Sequence, residues 1–168
     1  MQNIAVDTLT FTFPDGWHIG KPDDWAFYQS RFSRMWQNIK SLDLLAVTPE
    51  HTIWMIEAKD YRRHARTKPS CLGEEIAHKV FDTLASLLPA KVNAYDAVER
   101  DLARASCRAN SLRVVFHLEQ PAKHSKLFPR AIDPVNVQMK LRQLLKPIDA
   151  HPLVVERQRM QGLAWTVS

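Results

Sequence analysis

Polar and apolar residues alternate strictly near the N-terminus of the chain. In residues 8–13, TLTFTF, the apolar Leu9, Phe11 and Phe13 fall on one side and the threonines on the other. A period of two is typical of a β-strand with one buried face. A turn signal at residues 14–16, PDG, comes directly afterwards, so we expect the strand to end there.

The spacing of apolar residues changes to three and four in the segment that follows. This spacing predicts a helix whose aromatic face packs on the core, and Asp23 is expected to cap the start of that helix. The apolar stripe consists of Trp25, Tyr28, Phe32 and Met35.

Two apolar runs joined by a short polar turn occupy the next part of the chain. Residues 42–47, LDLLAV, and residues 52–58, TIWMIEA, are apolar nearly throughout, and residues 48–51 read as a hairpin turn. Near-continuous apolar runs are typical of strands that are covered on both faces. We therefore predict two buried strands that form a hairpin.

Two helices are predicted after this hairpin. The first is expected from about Gly73 to Leu88, and Pro89 breaks or restarts the pattern before a second helix that runs to about Ser106. Four residues are expected to face inward from the second helix, namely Val92, Tyr95, Val98 and Leu102.

The remaining elements complete an alternating order of strands and helices. Asp133 and Pro134 mark the start of a last helix, because Asp caps well and Pro suits the first turn. Further strands are predicted at residues 112–118, 152–157 and 163–167. This order predicts an α/β fold with a central mixed β-sheet flanked by helices.

Length and composition add limits to this fold. A chain of 168 residues favours a single domain, 1–168, with room for a substantial core. No run approaches the roughly 20 apolar residues of a membrane span, and the N-terminus lacks the pattern of a signal peptide. We therefore expect a cytoplasmic protein without a membrane partner. The net charge of +5 is compatible with a nucleic acid or another polyanion as partner.

Three charged residues interrupt the central apolar runs. Asp43 lies in the first run, and Glu57 and Lys59 end the second, two positions apart and therefore on one face of a strand. Two carboxylates on neighbouring strands suit Mg²⁺ or Mn²⁺, and the backbone carbonyl of Ala58 can add a third oxygen. A bound metal would activate water, and Lys59 would orient that water or stabilise charge on phosphorus.

An ion pair without chemistry is the alternative interpretation of these residues. An acidic residue followed two positions later by Lys is expected about once by chance in a chain of this length. The sequence Glu57-Ala58-Lys59 is the only instance here. Its context, at the end of an apolar strand and after a strand that carries Asp43, favours the metal site.

The segments Ser41-Leu42-Asp43 and Glu57-Ala58-Lys59 resemble the motif of the PD-(D/E)xK nuclease superfamily. The resemblance covers roughly residues 8–120, with residues 133–168 as an extension, and Leu42 replaces the Pro of the family name. It implies a restriction-endonuclease-like fold and a Mg²⁺-dependent endonuclease or exonuclease. In that family pattern Asp43 and Glu57 would bind the metal and Lys59 would be catalytic, with Asp23 or Asp24 as a further acidic candidate.

The resemblance also implies a nucleic-acid partner, DNA in preference to RNA, and a possible homodimer. The residues predicted to contact phosphate are basic positions after the second buried strand and in a later loop: Arg62, Arg63, Arg66, Lys68, Lys123 and Lys126. A second hypothesis is a nucleic-acid-binding or interaction module that keeps the nuclease fold without cutting. His117 and Glu119 can border the site from the next strand, and His117 is expected to be a hydrogen-bonded wall residue.

Overall fold

The computed structural model describes residues 1–127 and 130–168. Its strands are β1 (Gln2–Val6), β2 (Leu9–Phe13), β3 (His18–Gly20), β4 (Leu44–Val47), β5 (Thr52–Asp60), β6 (Ser111–Glu119), β7 (Leu153–Val155) and β8 (Thr166–Val167). Its α-helices are α1 (Ala26–Ser30), α2 (Leu72–Asn93), α3 (Ala97–Ser106) and α4 (Pro134–Leu145). Short 3-10 turns at Pro22–Asp24 and Phe32–Arg34 flank α1.

The larger sheet has the strand order β3-β4-β5-β6-β7 and combines both kinds of pairing. Strands β3, β4 and β5 form an antiparallel meander, whereas β6 pairs in parallel with both β5 and β7. Parallel neighbours need a long crossover connection. Helices α2 and α3 lie in the crossover from β5 to β6, and α4 lies in the crossover from β6 to β7. The predicted α/β class with a mixed sheet and flanking helices is therefore confirmed.

A second sheet, in the order β1-β2-β8, was not predicted. Strand β2 pairs antiparallel with β1 on one side and with β8 on the other. Strand β2 was predicted from its alternation, whereas β1 was not. In β1 Gln2 and Ile4 are only partly buried, and Val6 is its one fully buried residue. The one-sheet prediction was thus wrong in this part of the chain.

Each face of the larger sheet is covered by its own hydrophobic cluster. On one face the helices pack against residues that include Leu45, Met55 and Phe116. On the other face, side chains of the small sheet such as Phe11 meet Ile56 and Val115. Burial on both faces explains why β4 and β5 are apolar nearly throughout.

The helical part of the chain differs from the prediction in two places. The helix predicted around Trp25 is the single short helix α1 between 3-10 turns, and Met35 is 70% exposed rather than packed on the core. Helix α2 continues through Pro89 instead of ending there. Beyond Pro89, three of the four residues predicted to face inward are exposed: Val92 to 66%, Tyr95 to 89% and Val98 to 73%. The fourth, Leu102, is buried as predicted.

Among the described residues, none of the helices is both long enough and apolar enough to span a membrane.

Candidate functional site

The structure brings Asp43, Glu57 and Lys59 together at one end of the β4–β5 hairpin. Leu44 pairs with Ile56, so Asp43 and Glu57 lie next to each other just beyond that pair. The Lys59 ammonium lies 2.6 Å from Glu57 Oε1 and 3.6 Å from Asp43 Oδ2. Alternation along β5 and the short hairpin turn therefore produce the juxtaposition that the sequence pattern predicted.

A second lysine, Lys79 of α2, completes this ion cluster. Its ammonium is 2.6 Å from Glu57 Oε1 and 3.8 Å from Asp43 Oδ1. Lys79 was not predicted as a site residue, because it comes from a different element. The helical spacing does indicate that Lys79 faces the sheet, because it lies three residues after Ile76 and four before Thr83, both of which are buried.

Hydrogen bonds hold the carboxylate and the helix in place. Asp43 Oδ2 accepts a hydrogen bond from the backbone N–H of Ala58 at 2.8 Å. Thr83 Oγ1 accepts one from the backbone N–H of Leu42 at 2.9 Å, which ties α2 to the start of β4. The two anchors fix the distance between Lys79 on the helix and the carboxylates on the sheet.

Burial shapes the ionisation of this cluster. Glu57 is 1% exposed, and burial together with the nearby Asp43 raises its pKa, although Lys79 and Lys59 act in the opposite direction. Burial acts to lower the pKa of Lys59, but attraction to Glu57 and Asp43 outweighs it and raises that pKa. Two carboxylates thus face two ammonium groups, which compensates the buried charges.

Asp23 adds a third carboxylate near the cluster. Burial first, and then repulsion from Asp24 and Asp43, raise the pKa of Asp23 to about 6. Its Oδ1 atom is buried and has no hydrogen-bond partner among the described residues. Asp24, the other acidic candidate, instead pairs with Lys21 at 3.0 Å.

The cluster has only part of what a divalent metal requires. Glu57 Oε2 is buried without a hydrogen-bond partner in the described structure, and carboxylate oxygens are suitable ligands for Mg²⁺ or Mn²⁺. However, the described residues contain no group of three His, Cys, Asp or Glu side chains arranged to hold a metal ion. Lys59 and Lys79 already neutralise both carboxylates. The arrangement is therefore a closed ion cluster, and metal binding by Asp43, Glu57 and the Ala58 carbonyl stays a prediction.

A cavity of about 490 Å³ opens beside the ion cluster. Four lysines and two glutamates are among its lining residues, which are Asn38, Lys40, Glu57, Lys59, Lys68, Leu72, Glu75, Ile76, His78 and Lys79. Lys40 and Lys68 are exposed, and neither has an ion-pair partner within 4.0 Å in the described part of the chain. Both lie close enough to Glu75 to help lower the pKa of that carboxyl. The mouth of the cavity thus carries uncompensated positive charge.

The other predicted phosphate contacts are spread more widely. Arg62 pairs with Asp60 at 2.6 Å, and Arg66 pairs with Glu75 at 2.8 Å, so both guanidinium groups already have a carboxylate partner. Lys68 lines the cavity. The remaining predicted residues are exposed and do not line it, namely Arg63, Lys123 and Lys126.

His117 and Glu119 lie outside this cavity. His117 is fully buried, and its Nε2 atom is 2.9 Å from Glu119 Oε1. The imidazole packs edge-on against the ring of Phe11, on the sheet face opposite to the helices. His117 is therefore a hydrogen-bonded residue of the core. It is not a wall of the candidate site, because its imidazole lies on the opposite face of the sheet.

Comparison with known proteins gives one relationship across the whole chain. The chain is 28% identical, over an alignment of 214 residues, to a cysteine–tRNA ligase of Neisseria meningitidis serogroup A / serotype 4A (strain DSM 15465 / Z2491). The alignment includes 100% of this chain but 30% of the ligase, so the chain spans less than a third of that protein's length. No family model matches the chain, and no solved structure matches it.

This similarity overturns the resemblance to the PD-(D/E)xK nucleases. The nuclease motif rested on Asp43, Glu57 and Lys59, whereas the similarity to a ligase extends over the full chain. The predictions of a nuclease, of a phosphodiester hydrolase and of a Mg²⁺-dependent endonuclease or exonuclease are therefore wrong. The physical reason is that an acid-x-Lys sequence at the end of a strand also forms a buried ion cluster, and this is what the structure contains. Without a solved structure that matches, the restriction-endonuclease-like fold is not confirmed.

Proposed function

We propose that this chain is an RNA-binding domain that contacts tRNA through the lysine-lined cavity. The observation that carries the proposal is the pair of exposed lysines, Lys40 and Lys68, at the mouth of a cavity that two further lysines also line. The similarity to a protein named cysteine–tRNA ligase supports tRNA as the class of nucleic acid. Because the chain corresponds to 30% of that ligase, the proposal concerns RNA binding and not the ligase reaction.

The charges in the cavity divide into two groups with different roles. Lys59 and Lys79 are compensated by Glu57 and Asp43, so they contribute little net attraction to an approaching anion. Lys40 and Lys68 retain their charge at the surface, where a phosphate can reach them without displacing a carboxylate. Neutralising phosphates releases condensed counterions, and this supplies most of the affinity in sequence-independent binding. We therefore expect Lys40 and Lys68 to dominate RNA affinity.

The test is a titration of fluorescently labelled tRNA with wild-type protein and with the double variant Lys40→Ala/Lys68→Ala. We expect the double variant to bind about ten-fold more weakly near physiological salt. The slope of log affinity against log salt should be smaller in magnitude by about 1.5, because two phosphate contacts are lost and each contributes roughly 0.7 to 0.9 to the slope. Fluorescence anisotropy at several salt concentrations measures both quantities.

A matched control has the same change in net charge at a different place. Lys91 lies near the end of α2, Lys146 follows α4, and neither lines the cavity. The variant Lys91→Ala/Lys146→Ala should retain the wild-type affinity to within about two-fold, because scattered surface charges act only through screened, long-range attraction. Equal weakening by both double variants, or no tRNA binding by the wild type, would refute the proposal.

The finer predictions about partners can be tested in the same experiment. We propose RNA in place of the predicted DNA, so a DNA duplex of similar length should bind more weakly than tRNA. The predicted homodimer and single domain stay predictions, and sedimentation of the free and RNA-bound protein measures the number of copies. The restriction-endonuclease-like form of the sheet likewise stays a prediction.

We propose separately that Asp43 and Glu57 can bind a divalent cation when one lysine withdraws. The support for this is the unpartnered, buried Glu57 Oε2 atom. Calorimetry with Mn²⁺ should then detect binding that Asp43→Asn abolishes and that Lys79→Met strengthens, because the competing ammonium has been removed. Identical titrations for all three proteins would exclude the site.

A further inference from the structure

An exposed tryptophan lies a few residues before two residues that line the basic cavity. Trp36 is 78% exposed, and its neighbour Met35 is 70% exposed. Asn38 and Lys40, which follow Trp36 by two and four residues, both line the cavity. The indole ring therefore belongs to the segment that forms one wall of the cavity.

The segment that carries Trp36 is fixed at both ends. On one side Phe32 is 7% exposed and belongs to the hydrophobic core. On the other side Ile39 packs against the same core, and the backbone N–H of Lys40 donates a hydrogen bond to Asp82 Oδ2 at 2.9 Å. Between these anchors Asn38 has a φ of 63°, a left-handed conformation that turns the chain. Trp36 is thus held at the surface by a short segment that is anchored to the rest of the protein at both ends.

A tryptophan exposed to this degree has no packing role that explains it. Its ring makes none of the aromatic contacts found within the described residues, whereas Trp17, Trp54 and Trp165 are in contact with other rings. Trp36 and its neighbour Met35 expose apolar surface next to polar residues of the cavity, and apolar patches rimmed by polar residues mark interaction sites. The chemistry of the adjacent cavity shows which partner is suitable here, because Lys40 and Lys68 attract a polyanion.

We infer that Trp36 is a stacking platform for an unpaired RNA base whose neighbouring phosphate lies at Lys40 and Lys68. Every base has a π-face, so such stacking tolerates any sequence and favours single-stranded segments over duplex. This inference rests on the proposed RNA binding, and it specifies the part of the RNA that the site would recognise, namely an unpaired loop or end.

The experiment compares two probes that share a backbone and differ in their bases. One is a short single-stranded oligoadenylate, and the other is an abasic oligomer of equal length. Wild-type protein, Trp36→Ala, Trp36→Phe and the neighbouring control Met35→Ala are titrated with each probe. We expect Trp36→Ala to bind oligoadenylate about ten-fold more weakly, while Trp36→Phe and Met35→Ala stay within about three-fold of wild type.

The abasic probe separates stacking from charge. Its affinity should be the same for wild type and Trp36→Ala, because only the bases contact the ring. Tryptophan fluorescence gives a second readout: the chain has five Trp, and quenching by oligoadenylate should shrink in Trp36→Phe although that variant still binds.

Each outcome has a distinct meaning. If neither probe binds to any of the proteins, the proposed RNA binding fails and the stacking inference fails with it. If both probes bind and Trp36→Ala affects neither, RNA binding stands but Trp36 is not a base platform, and its exposed ring then fits a protein contact. Equal weakening of both probes by Trp36→Ala would also overturn the inference, because it would indicate a general loss of structure.

Discussion

Asp23 keeps its proton at a pH at which most aspartates are ionised. Its pKa is raised from 3.8 to about 6 by burial and by the charges of Asp24 and Asp43. The neutral form is therefore the one that the folded state accommodates best. Stability from this effect is fully present below the ordinary pKa of Asp and is lost as the pH rises through about 6, because the folded protein must then hold the charged form.

Replacing Asp23 by Asn should remove this loss. Since Asp23 remains partly accessible to solvent, we expect Asp23→Asn to be more stable than wild type by about 1 kcal/mol at pH 7.5, with the difference vanishing below the ordinary pKa of Asp. Urea unfolding at a series of pH values measures the difference. The control is Asp101→Asn in an exposed pair with Arg104, which should change stability by less than about 0.5 kcal/mol at either pH. A constant difference for Asp23→Asn across the pH range would contradict the assignment.

The residues of the candidate site were predictable to unequal degrees. Asp43, Glu57 and Lys59 follow from local rules, since a tight hairpin and a period of two decide which side chains meet. Lys79 and Asp23 come from elements that reach the site only through tertiary packing. No rule of spacing connects them to the hairpin. Lys79 was not predicted at all, and Asp23 was named only as one of two further acidic candidates that the family resemblance implied.

At the scale of elements, α2 is the clearest departure from local sequence rules. It extends over 22 residues with Pro89 in its interior. Proline has no N–H to donate to the carbonyl four residues earlier, and its ring crowds that carbonyl. The helix nevertheless continues, because its buried side packs against the core on both sides of the proline, at Leu87 and Ala90. Tertiary packing therefore outweighs a strong local stop signal.

The cost of that proline gives a prediction for α2. Pro89→Ala should raise the free energy of unfolding by about 1–3 kcal/mol, because Ala restores the hydrogen bond and removes the crowding. Thermal and urea unfolding both measure the change. Leu88→Ala, at a neighbouring position that is 60% exposed, should shift stability by less than about 0.5 kcal/mol. A loss of stability in Pro89→Ala would show instead that the proline ring is needed for packing.

The same helix shows why Val92 and Tyr95 were wrongly predicted to face inward. Apolar residues at helical spacing indicate that a helix has an apolar face, but they do not show which part of the protein that face packs against. When α2 continues through Pro89, Val92 lies on its outer side, and Tyr95 falls in the short link before α3. The assumption that a new helix begins at Pro89 therefore shifted the predicted inward face.

At the scale of the whole molecule, the class of fold was predictable and the arrangement of its layers was not. The alternating order of elements predicts an α/β protein, and buried runs such as residues 52–58 predict a sheet covered on both sides. What covers the second face depends on β1 and β8. Strand β1 was not predicted, and a strand was predicted around β8, at residues 163–167, without its pairing to β2. Strand β8 pairs with β2 although they lie at opposite ends of the sequence, a long-range contact that no local pattern encodes.

The parallel pairing of β5 with β6 has a consequence for the rate at which this protein folds. Thr52 pairs with Ser111, and all of α2 and α3 lies in the loop between the two strands. The two ends of that loop must come together before β5 and β6 can pair, and the chain loses conformational entropy in doing so. This cost slows the pairing of β5 with β6, on which both hydrophobic clusters depend. Helices α2 and α3 pack against each other over a short sequence distance and can form first. We expect refolding, followed by tryptophan fluorescence after rapid dilution from urea, to take milliseconds to seconds, and a microsecond rate would contradict this.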